Sequence, residues 1–410
     1  MPGWLGVACY RFAAGAGTSR YTNPVGGSIA YRSTEADAQA LARDAYTWSK
    51  LWFQVLSNTC STASTVRSRK NTANGNQSVT VPALGTGNFS DDVNSDSLVN
   101  GDLFNWQVAI GGVDAESFAP WYLASRVVPT TNVGILLGSK ETGTALVSAQ
   151  TRYLNTAGAF TLNGTEALTQ YTIRTASTFS RLRARVTANT LNGATTVRLR
   201  INGFYGNLIL TIGAGLTGWF EDVVNSDAIA AGDALNYELV TGGAAGTMTL
   251  LAYHVRSASS VRQLINGLAQ TVGLGFGTTF YGAIDSSSWN SAGDQTEANL
   301  AVPARLGFTT GNFFVRVTAN TVTGNTTVRT RKNAANGNQS VTIPNSTTGA
   351  FEDNVNTDSF VAADTLNYQM VMGGAAGSIT FGYIGVGLNQ PAAGGMMGVL
   401  PVLMRGMGVS

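Results

Sequence analysis

The sequence predicts an all-β protein made of three tandem antiparallel β-sandwich domains of the jelly-roll type. Two observations carry this prediction: a gapless repeat with a period of 131 residues, and strand-like alternation that recurs at the same place in each copy. Residues one period apart are called register mates below. The repeat is marked by three identical segments: Thr65-Val66-Arg67, Thr196-Val197-Arg198 and Thr327-Val328-Arg329. A unit of this size can bury its own core, and it exceeds the roughly 20–50 residues of solenoid or propeller repeats.

The repeat divides the 410 residues into three domains and a tail. We place the domains at 1–129, 130–260 and 261–390, followed by an apolar tail, rich in Gly and Met, at 391–410. The tail residues Met396 and Met397 are candidates for docking on another protein, because an unbranched Met side chain adapts to irregular grooves. The alternative for this segment is a final strand with a frayed end.

The copies together identify the strands. Residues 36–55 contain good helix formers, but their register mates around 179–186 and 313–317 alternate and are rich in β-branched or aromatic residues. That pattern is typical of strands, so we predict strands here in all three copies. Short strands without helical crossovers favour an antiparallel sandwich or jelly roll.

One hairpin of copy three is predicted in more detail. Strands are expected at 326–332 and at 339–343. The turn between them is placed at 333–338, where Asn336-Gly337 would supply positive φ angles at low cost.

Composition argues against several function classes. The net charge is only +2 and charged residues make up 12%, so no basic surface field indicates nucleic-acid binding. No stretch reaches the roughly 18 uninterrupted apolar residues of a membrane span, and the N-terminus lacks the pattern of a signal peptide. Cys9 and Cys60 do not recur in the other copies, so we expect reduced thiols, with a single Cys9–Cys60 bridge as the alternative.

The sequence carries no catalytic motif, and we predict a non-enzymatic protein without a cofactor. His254 is the only histidine and has no equivalent in the other copies, so a packed histidine is favoured over a Ser–His–Asp triad. No phosphate-binding loop, Cys/His metal spacing or HExxH-type motif is present. No pair of carboxylates can be assigned to glycoside hydrolysis.

An acidic turn recurs in each copy and is a weak candidate for a calcium site. Asp, Asn and Asp stand at its first, fourth and sixth positions, and their oxygens are ligands that Ca²⁺ accepts. The spacing is not that of an EF-hand, and the alternative is a connection whose side chains cap backbone amides. The candidate ligands are Asp91, Asn94 and Asp96; Asp222, Asn225 and Asp227; and Asp353, Asn356 and Asp358.

Two arginines, two residues apart, share one strand face in each copy. They are expected either to pair with the acidic turns or with the glutamates Glu35, Glu166 and Glu297, or to clamp neighbouring domains together, since Arg favours interface ion pairs. The arginines are Arg67 and Arg69, Arg198 and Arg200, and Arg329 and Arg331.

Tryptophan is concentrated in copy one. Trp106 stands where the other copies have Tyr237 and Tyr368, so it is expected in the core or at a symmetry axis. Trp48 and Trp52 are candidates for an anchoring surface peculiar to copy one, with ordinary core burial as the alternative.

A longer pattern resembles the jelly rolls of the C1q/TNF-like superfamily, especially their bacterial and bacteriophage versions. It runs Thr-Val-Arg-x-Arg-x-Asn, a Gly/Asn turn, Val-Thr-Ile-Pro, Thr-Gly-x-Phe-x-Asp and Ala-Gly-Asp-x-Leu-x-Tyr. The last motif stands at 231–237 and, without its glycine, at 363–368. The resemblance covers the C-terminal two-thirds of each copy and implies trimers packed around a three-fold axis. The chain departs from some relatives in lacking a Gly-x-y stalk and a coiled-coil shaft.

The resemblance also bears on how the copies are arranged. A jelly roll of this type brings both termini to the same end, and an extended residue spans at most about 3.6 Å. The handful of residues at the first boundary is therefore too short to stack the copies. We expect a side-by-side ring, a single-chain pseudo-trimer, with a stacked homotrimer of three chains as the alternative.

The function implied by the resemblance is structural. We expect a protein of the bacteriophage virion, assembled in the bacterial host cytoplasm and bound to other virion proteins such as the major capsid protein. Capsid decoration is the leading expectation. The alternative is a tail-fibre or baseplate module that recognises a cell-surface glycan.

Overall fold

The structure, a computed structural model, describes residues 4–9, 14–23, 32–113, 116–129, 133–140, 145–156, 158–160, 162–173, 176–258, 274–283, 296–304 and 307–389. In this part of the chain the backbone is strand and turn, and helical geometry is limited to 3-10 turns at Glu35–Asp37, Glu166–Leu168 and Glu297–Asn299. None of the described helical turns has the length and apolarity that crossing a bilayer would need. The all-β prediction is confirmed.

The strands follow in chain order. Copy one contains β1 (Trp4–Cys9), β2 (Ala14–Gly15), β3 (Ser19–Thr22), β4 (Ala40–Leu41), β5 (Tyr46–Asn58), β6 (Ser64–Lys70), β7 (Ala73–Val81), β8 (Gly87–Leu98), β9 (Leu103–Ala109) and β10 (Ser117–Pro129). Copy two contains β11 (Val133–Lys140), β12 (Leu146–Val147), β13 (Thr151–Asn155), β14 (Gly158–Phe160), β15 (Tyr171–Thr172), β16 (Ser177–Asn189), β17 (Thr195–Ile201), β18 (Phe204–Ile212), β19 (Gly218–Glu221), β20 (Ser226–Ile229), β21 (Ala234–Val240) and β22 (Thr247–Ala258). Copy three contains β23 (Leu274–Gly275), β24 (Thr279–Ala283), β25 (Val302–Pro303), β26 (Phe308–Asn320), β27 (Thr326–Lys332), β28 (Ala335–Ile343), β29 (Gly349–Asp353), β30 (Asp358–Phe360), β31 (Thr365–Val371) and β32 (Ser378–Asn389).

Each copy folds into two sheets. In copy one the first sheet has the order β1-β10-β5-β8 with β2 on β10, and the second has β3-β9-β6-β7 with β4 on β9. The chain crosses from β5 to β6 and β7, back to β8, over to β9 and back to β10, which is jelly-roll connectivity. Copy two repeats this order with β11 in the place of β1 and with β14 added parallel to β11, and the described strands of copy three, which begin at β23, repeat the rest of it. The prediction of three antiparallel β-sandwiches is confirmed.

Large apolar side chains from the two sheets meet at the same depth in each copy. In copy one Trp48 of the first sheet packs on Trp106 of the second, with ring centroids 4.2 Å apart. Tyr237 and Tyr368, the register mates of Trp106, also pack on first-sheet rings, those of Tyr253 at 5.2 Å and Phe313 at 5.8 Å, although these partners come from other positions than Trp48. These rings fill the space between sheets that face each other at about 10 Å. Trp106 therefore belongs to the core.

Two local predictions meet different outcomes. In the segment 36–55 the structure has a 3-10 turn followed by strands β4 and β5, so the expectation of strands rather than a long helix holds. The turn predicted at 333–338 is shorter than expected. The chain reverses at Asn333 and Ala334, whose φ angles are 49° and 60°, and β28 already begins at the next residue.

The glycine of that hairpin has a different role from the predicted one. Gly337 lies inside β28, where an added Cβ would meet Thr330 Oγ1 at 2.4 Å and Asp358 Oδ2 at 2.5 Å. Gly337 is therefore required for a close approach to an aspartate rather than for a positive φ angle.

Candidate functional site

The first aspartate of each acidic turn holds backbone amides at the edge of the first sheet. Asp91 accepts hydrogen bonds from the backbone N–H groups of Ser78 at 2.9 Å, Asn94 at 3.0 Å and Val93 at 3.2 Å. Partial burial acts to raise the pKa of Asp91, but the hydrogen bonds, led by that of Asn94, outweigh it and leave the pKa lowered. The same arrangement recurs at Asp222 and Asp353.

The last aspartate of the turn is bound to the neighbouring sheet. Asp96 accepts the backbone N–H of Asn76 at 2.6 Å, the hydroxyl of Ser68 at 2.6 Å and the amide of Gln77 at 3.1 Å. A Cβ on Gly75 would meet Asp96 Oδ1 at 2.7 Å, so only glycine allows this approach. The mates Asp227 and Asp358 accept the corresponding backbone N–H groups of Asn207 and Asn338.

The asparagines of the acidic turns also hydrogen-bond to the aspartates. The Nδ2 groups of Asn94, Asn225 and Asn356 donate to the first aspartate of their own turn at 2.9–3.0 Å. In the described residues no group of three His, Cys, Asp or Glu side chains is arranged to hold a metal ion. The carboxylate oxygens face N–H donors, which is the capping geometry rather than a cation cage.

The second arginine of each pair forms an ion pair within its own copy. Arg69 contacts both carboxylate oxygens of Glu35, at 2.9 Å and 3.1 Å. It also donates to Asn74 and to the backbone carbonyl of Thr72, so it ties the 3-10 turn to the β6–β7 hairpin. The hydrogen bond to Glu35 raises the pKa of Arg69. The pairs Arg200–Glu166 and Arg331–Glu297 repeat this contact.

The first arginine of each pair lies half-buried on the outward face of the second sheet. The Nε groups of Arg67, Arg198 and Arg329 are buried and have no hydrogen-bond partner among the described residues. In copy two the Arg198 guanidinium lies 4.7 Å from the centroid of the Tyr205 ring. In the described contacts no arginine of these pairs bridges two copies, so the glutamate pairing accounts for the second arginines and the clamp does not.

Copies one and two meet through ions that the sequence did not single out. The segment 37–44 of copy one, which includes β4, lies against the outward face of the first sheet of copy two. Asp37 accepts Arg185 at 2.9 Å, Asp44 accepts Arg256 at 3.0 Å, and a third pair joins Arg43 to Glu221.

Beneath this contact is a buried cluster of copy two. The Arg183 guanidinium stacks 3.8 Å from the centroid of Trp219, and the ring of His254 lies 5.2 Å from the same indole. Burial, with Arg43 and then Arg185 nearby, lowers the pKa of Arg183 to about 9. Burial, aided by Arg183 and Arg43, lowers the pKa of His254 well below its usual value. The histidine is therefore neutral and packed, as expected from the sequence.

Copies two and three meet at the equivalent place through aromatic rings. Tyr383 of copy three lies with its ring centroid 4.9 Å from Tyr171 of copy two and 4.9 Å from its own neighbour Phe314. The Tyr383 hydroxyl accepts the backbone N–H of Thr172 at 3.1 Å. Phe314 is the register mate of Arg183, so the same surface carries different chemistry in the two copies.

The tryptophan, cysteine and methionine candidates have separate outcomes. Trp48 is fully buried and its Nε1 donates to Ser125 Oγ at 2.9 Å, so the structure gives it the core role and removes it from any anchoring surface. Trp52 is 7% exposed. Cys60 is a free, buried thiol rather than half of a bridge. Met396 and Met397 lie outside the described residues.

Sequence reasoning missed the residues that join the copies. Arg43 does have arginine register mates, Arg174 and Arg305, and this recurrence was an available signal. Its partner Glu221 recurs only as Glu352, and copy one has Ser90 there. An ion pair between different copies involves residues that the repeat does not place side by side in sequence.

Comparison with known proteins adds no information on function, which is therefore inferred from the geometry. No known protein-family model matches the sequence, and a search of curated proteins finds no significant similarity.

Proposed function

We propose that this protein is a non-enzymatic structural protein of a tailed-bacteriophage virion, where it decorates or cements the capsid surface. The observation that carries the proposal is the lateral contact of successive copies. Copy one contacts copy two, and copy two contacts copy three, through the segment around β4 or its counterpart β15 and the outward face of the next copy's first sheet. A chain built this way is a three-lobed block, a shape that fits a three-fold or quasi-three-fold point of a capsid lattice.

Closure of the block into a ring is part of the proposal. Trp52 occupies in copy one the position of Arg183 and Phe314, which are buried next to the contacts with the preceding copy. Its neighbours Leu51 and Phe53 point into the sandwich, so Trp52 points outward, yet it is only 7% exposed. A covered outward face is what contact with copy three would produce.

The repeated polar residues also support a structural role. In each copy the aspartates of the acidic turn accept backbone amides, and the second arginine of the strand pair binds a glutamate. These groups hold turns and hairpins rigid. A rigid block whose repeated carboxylates are already bound to amides and arginines suits a particle component better than a reaction centre.

Two measurements test the proposal. Electron microscopy of purified phage particles labelled with an antibody to this protein is expected to show label on the capsid. Label on the tail would favour the fibre or baseplate alternative, and its absence from particles would reject a virion role. In solution, a mass of 42.7 kDa supports the single-chain ring, while about 128 kDa, three times that mass, supports a homotrimer of chains.

Host recognition through a cell-surface glycan is the second candidate. The observation that favours it is a pair of exposed aromatic side chains, Phe204 and Tyr205, on a hairpin of copy two. Binding of the isolated protein to whole host cells, lost after enzymatic removal of surface polysaccharide, is the expected result for this candidate. Docking of the Met396 and Met397 tail on the underlying virion protein stays a prediction.

A further inference from the structure

One hairpin tip of copy two differs from its two counterparts. The two residues after the β17–β18 turn are Phe204 and Tyr205, which are 75% and 60% exposed. Copies one and three have Ala-Asn at both places, at 73–74 and 335–336. Exposed aromatic side chains cost solubility, and the same hairpin forms without them in two copies, so folding does not require them. A binding role would account for the aromatic ring of Tyr205, which lies on the face of the sheet.

Tyr205 is fixed on the outward face of the second sheet. It pairs across the hairpin with Arg200, and its ring lies 4.6 Å from the Arg200 guanidinium and 4.7 Å from that of Arg198. Arg200 is itself held by Glu166 at 2.9 Å and 3.1 Å. One face of the tyrosine ring therefore rests on cations and its remaining surface is open to solvent. Phe204 pairs with Ile201 and projects to the other side of the hairpin.

The surface beside Tyr205 carries hydrogen-bonding groups in a row. Tyr153, Glu238 and Arg198 face each other on three adjacent strands, and Tyr205 lies on the fourth. Neighbouring strands are about 4.8 Å apart, so the row from Tyr153 to Tyr205 spans about 14 Å. A shallow surface of this length fits a short oligosaccharide rather than a single sugar ring.

In copy two the tyrosine hydroxyl of this row lacks the hydrogen-bond donor that it has in the other copies. In copies one and three a glutamine amide, of Gln107 or Gln369, donates to the hydroxyl of the equivalent tyrosine at 3.4 Å or 3.1 Å. Copy two has Glu238 there, and a carboxylate cannot donate that bond. No described residue hydrogen-bonds the Tyr153 hydroxyl. A ligand would find this hydroxyl available.

The charges of the row identify the class of ligand. Arg198 and Arg200 are balanced by Glu166 and Glu238, so the patch has no net charge. In copies one and three the glutamine leaves one uncompensated arginine. A neutral patch favours an uncharged, hydroxyl-rich ligand over a polyanion such as a nucleic acid. The apolar face of a pyranose ring stacks on an aromatic ring, and its hydroxyls bond to carboxylate and guanidinium groups.

We propose that the outward face of the second sheet of copy two, formed by Tyr153, Glu238, Arg198 and Tyr205, is a binding site for a neutral oligosaccharide. The site is peculiar to this copy, so one chain binds one ligand. It does not depend on the decoration role, because a capsid protein and a fibre protein can each carry such a site.

The test begins with an array of neutral hexose and N-acetylhexosamine oligosaccharides, with sialylated and sulfated ones as a comparison, followed by calorimetric titration of the best neutral binder. The parent protein is expected to bind neutral glycans at one site per chain. Tyr205→Asn, which restores the residue of the other copies, is expected to weaken binding about tenfold. Phe204→Ala is the matched control and is expected to change affinity little.

Two further variants test the site without removing the Tyr205 ring. Glu238→Gln is expected to weaken binding; because Glu238 also pairs with Arg200 at 3.7 Å, its affinity is measured at a temperature well below the melting temperature of the variant. The triple change Ala73→Phe, Asn74→Tyr and Gln107→Glu copies the site into copy one and is expected to raise the stoichiometry to two.

The proposal is overturned by any of three results. These are no binding of neutral glycans by the parent protein, binding that Tyr205→Asn leaves intact, or a loss confined to Phe204→Ala. Labelling of particles with the Tyr205→Asn variant should be unchanged, which separates failure of the glycan site from failure of the virion role.

Discussion

The contact between copies one and two and the contact between copies two and three use the same surfaces but opposite chemistry. The first is ionic, with Asp37, Asp44 and Arg43 of one copy reaching across to charged groups of the next. The second is aromatic and centres on Tyr383 and Tyr171. Because the backbone is repeated, the difference must lie in the side chains that each copy presents.

This difference teaches how a triplicated chain can fix its own order. Three identical faces would pair in any combination, within one chain or between chains. A charged turn facing an aromatic sheet would bury unpaired ions, and that mismatch is costly. Distinct chemistry at equivalent contacts therefore favours copy one beside copy two and copy two beside copy three over other pairings.

The aromatic contact gives the largest expected effect. Tyr383→Ala removes a ring that is almost completely buried between two copies, together with the acceptor for the Thr172 N–H. We expect the free energy of unfolding, measured in urea, to fall by about 3 kcal/mol, since truncation of large buried aromatics costs about that much. The loss should be the same at low and high salt. Tyr281→Ala, on a half-buried tyrosine of the same copy away from the contact, should cost much less.

The ionic contact has a pH dependence that the aromatic contact lacks. His254 is held neutral beneath it, with a pKa lowered first by burial and then by Arg183 and Arg43. The unfolded chain keeps an ordinary histidine pKa near 6.5, so it takes up a proton that the folded state refuses. Stability is then fully present above about pH 6.5 and falls by about 1.4 kcal/mol per pH unit below it. We expect the free energy of unfolding, measured in urea, to be lower at pH 5 than at pH 7.

The control for this pH effect is the histidine itself. It is the only one in the chain, so His254→Leu should flatten the stability profile between pH 7 and pH 5. The capping aspartates Asp91, Asp222 and Asp353 have lowered pKa values, and their contribution is lost only at lower pH, below the usual aspartate range. An unchanged slope in His254→Leu would show that another group is responsible.

The sequence predicted the fold because the fold repeats. Alternation that was ambiguous at 36–55 became readable once its register mates were compared, and the Arg69–Glu35 ion pair lay among the expected pairings. The hairpin turn was predicted too long because Asn336-Gly337 has the composition of a turn, whereas Gly337 serves a close approach to Asp358.

The residues that join the copies escaped prediction for a physical reason. A repeat shows which positions are equivalent within each copy but not which face of one copy meets the next. Arg43 and Glu221 are 178 residues apart in sequence, and neither belongs to a motif. Tyr205 could have been noticed as a departure from Asn74 and Asn336, but its exposure and its stacking on two arginines are properties of the folded sheet.

The smallest expected effect tests whether the ionic contact is stabilised by charge rather than by packing. Glu221→Gln keeps the shape of the side chain but leaves Arg43 facing Arg181 and Arg183 without its counter-ion. The Arg43 and Glu221 side chains are only 17% and 18% exposed, so we expect a loss of about 1 kcal/mol at low ionic strength. The loss should shrink in 1 M salt, where the Debye length falls to about 3 Å.

The control is Asp92→Asn, which breaks the exposed Lys50–Asp92 pair, at 4.0 Å, and should cost almost nothing. Equal losses in both variants, or a Glu221→Gln loss that salt leaves unchanged, would show that charge does not stabilise the contact between copies one and two. That contact would then be held by packing, like the contact between copies two and three.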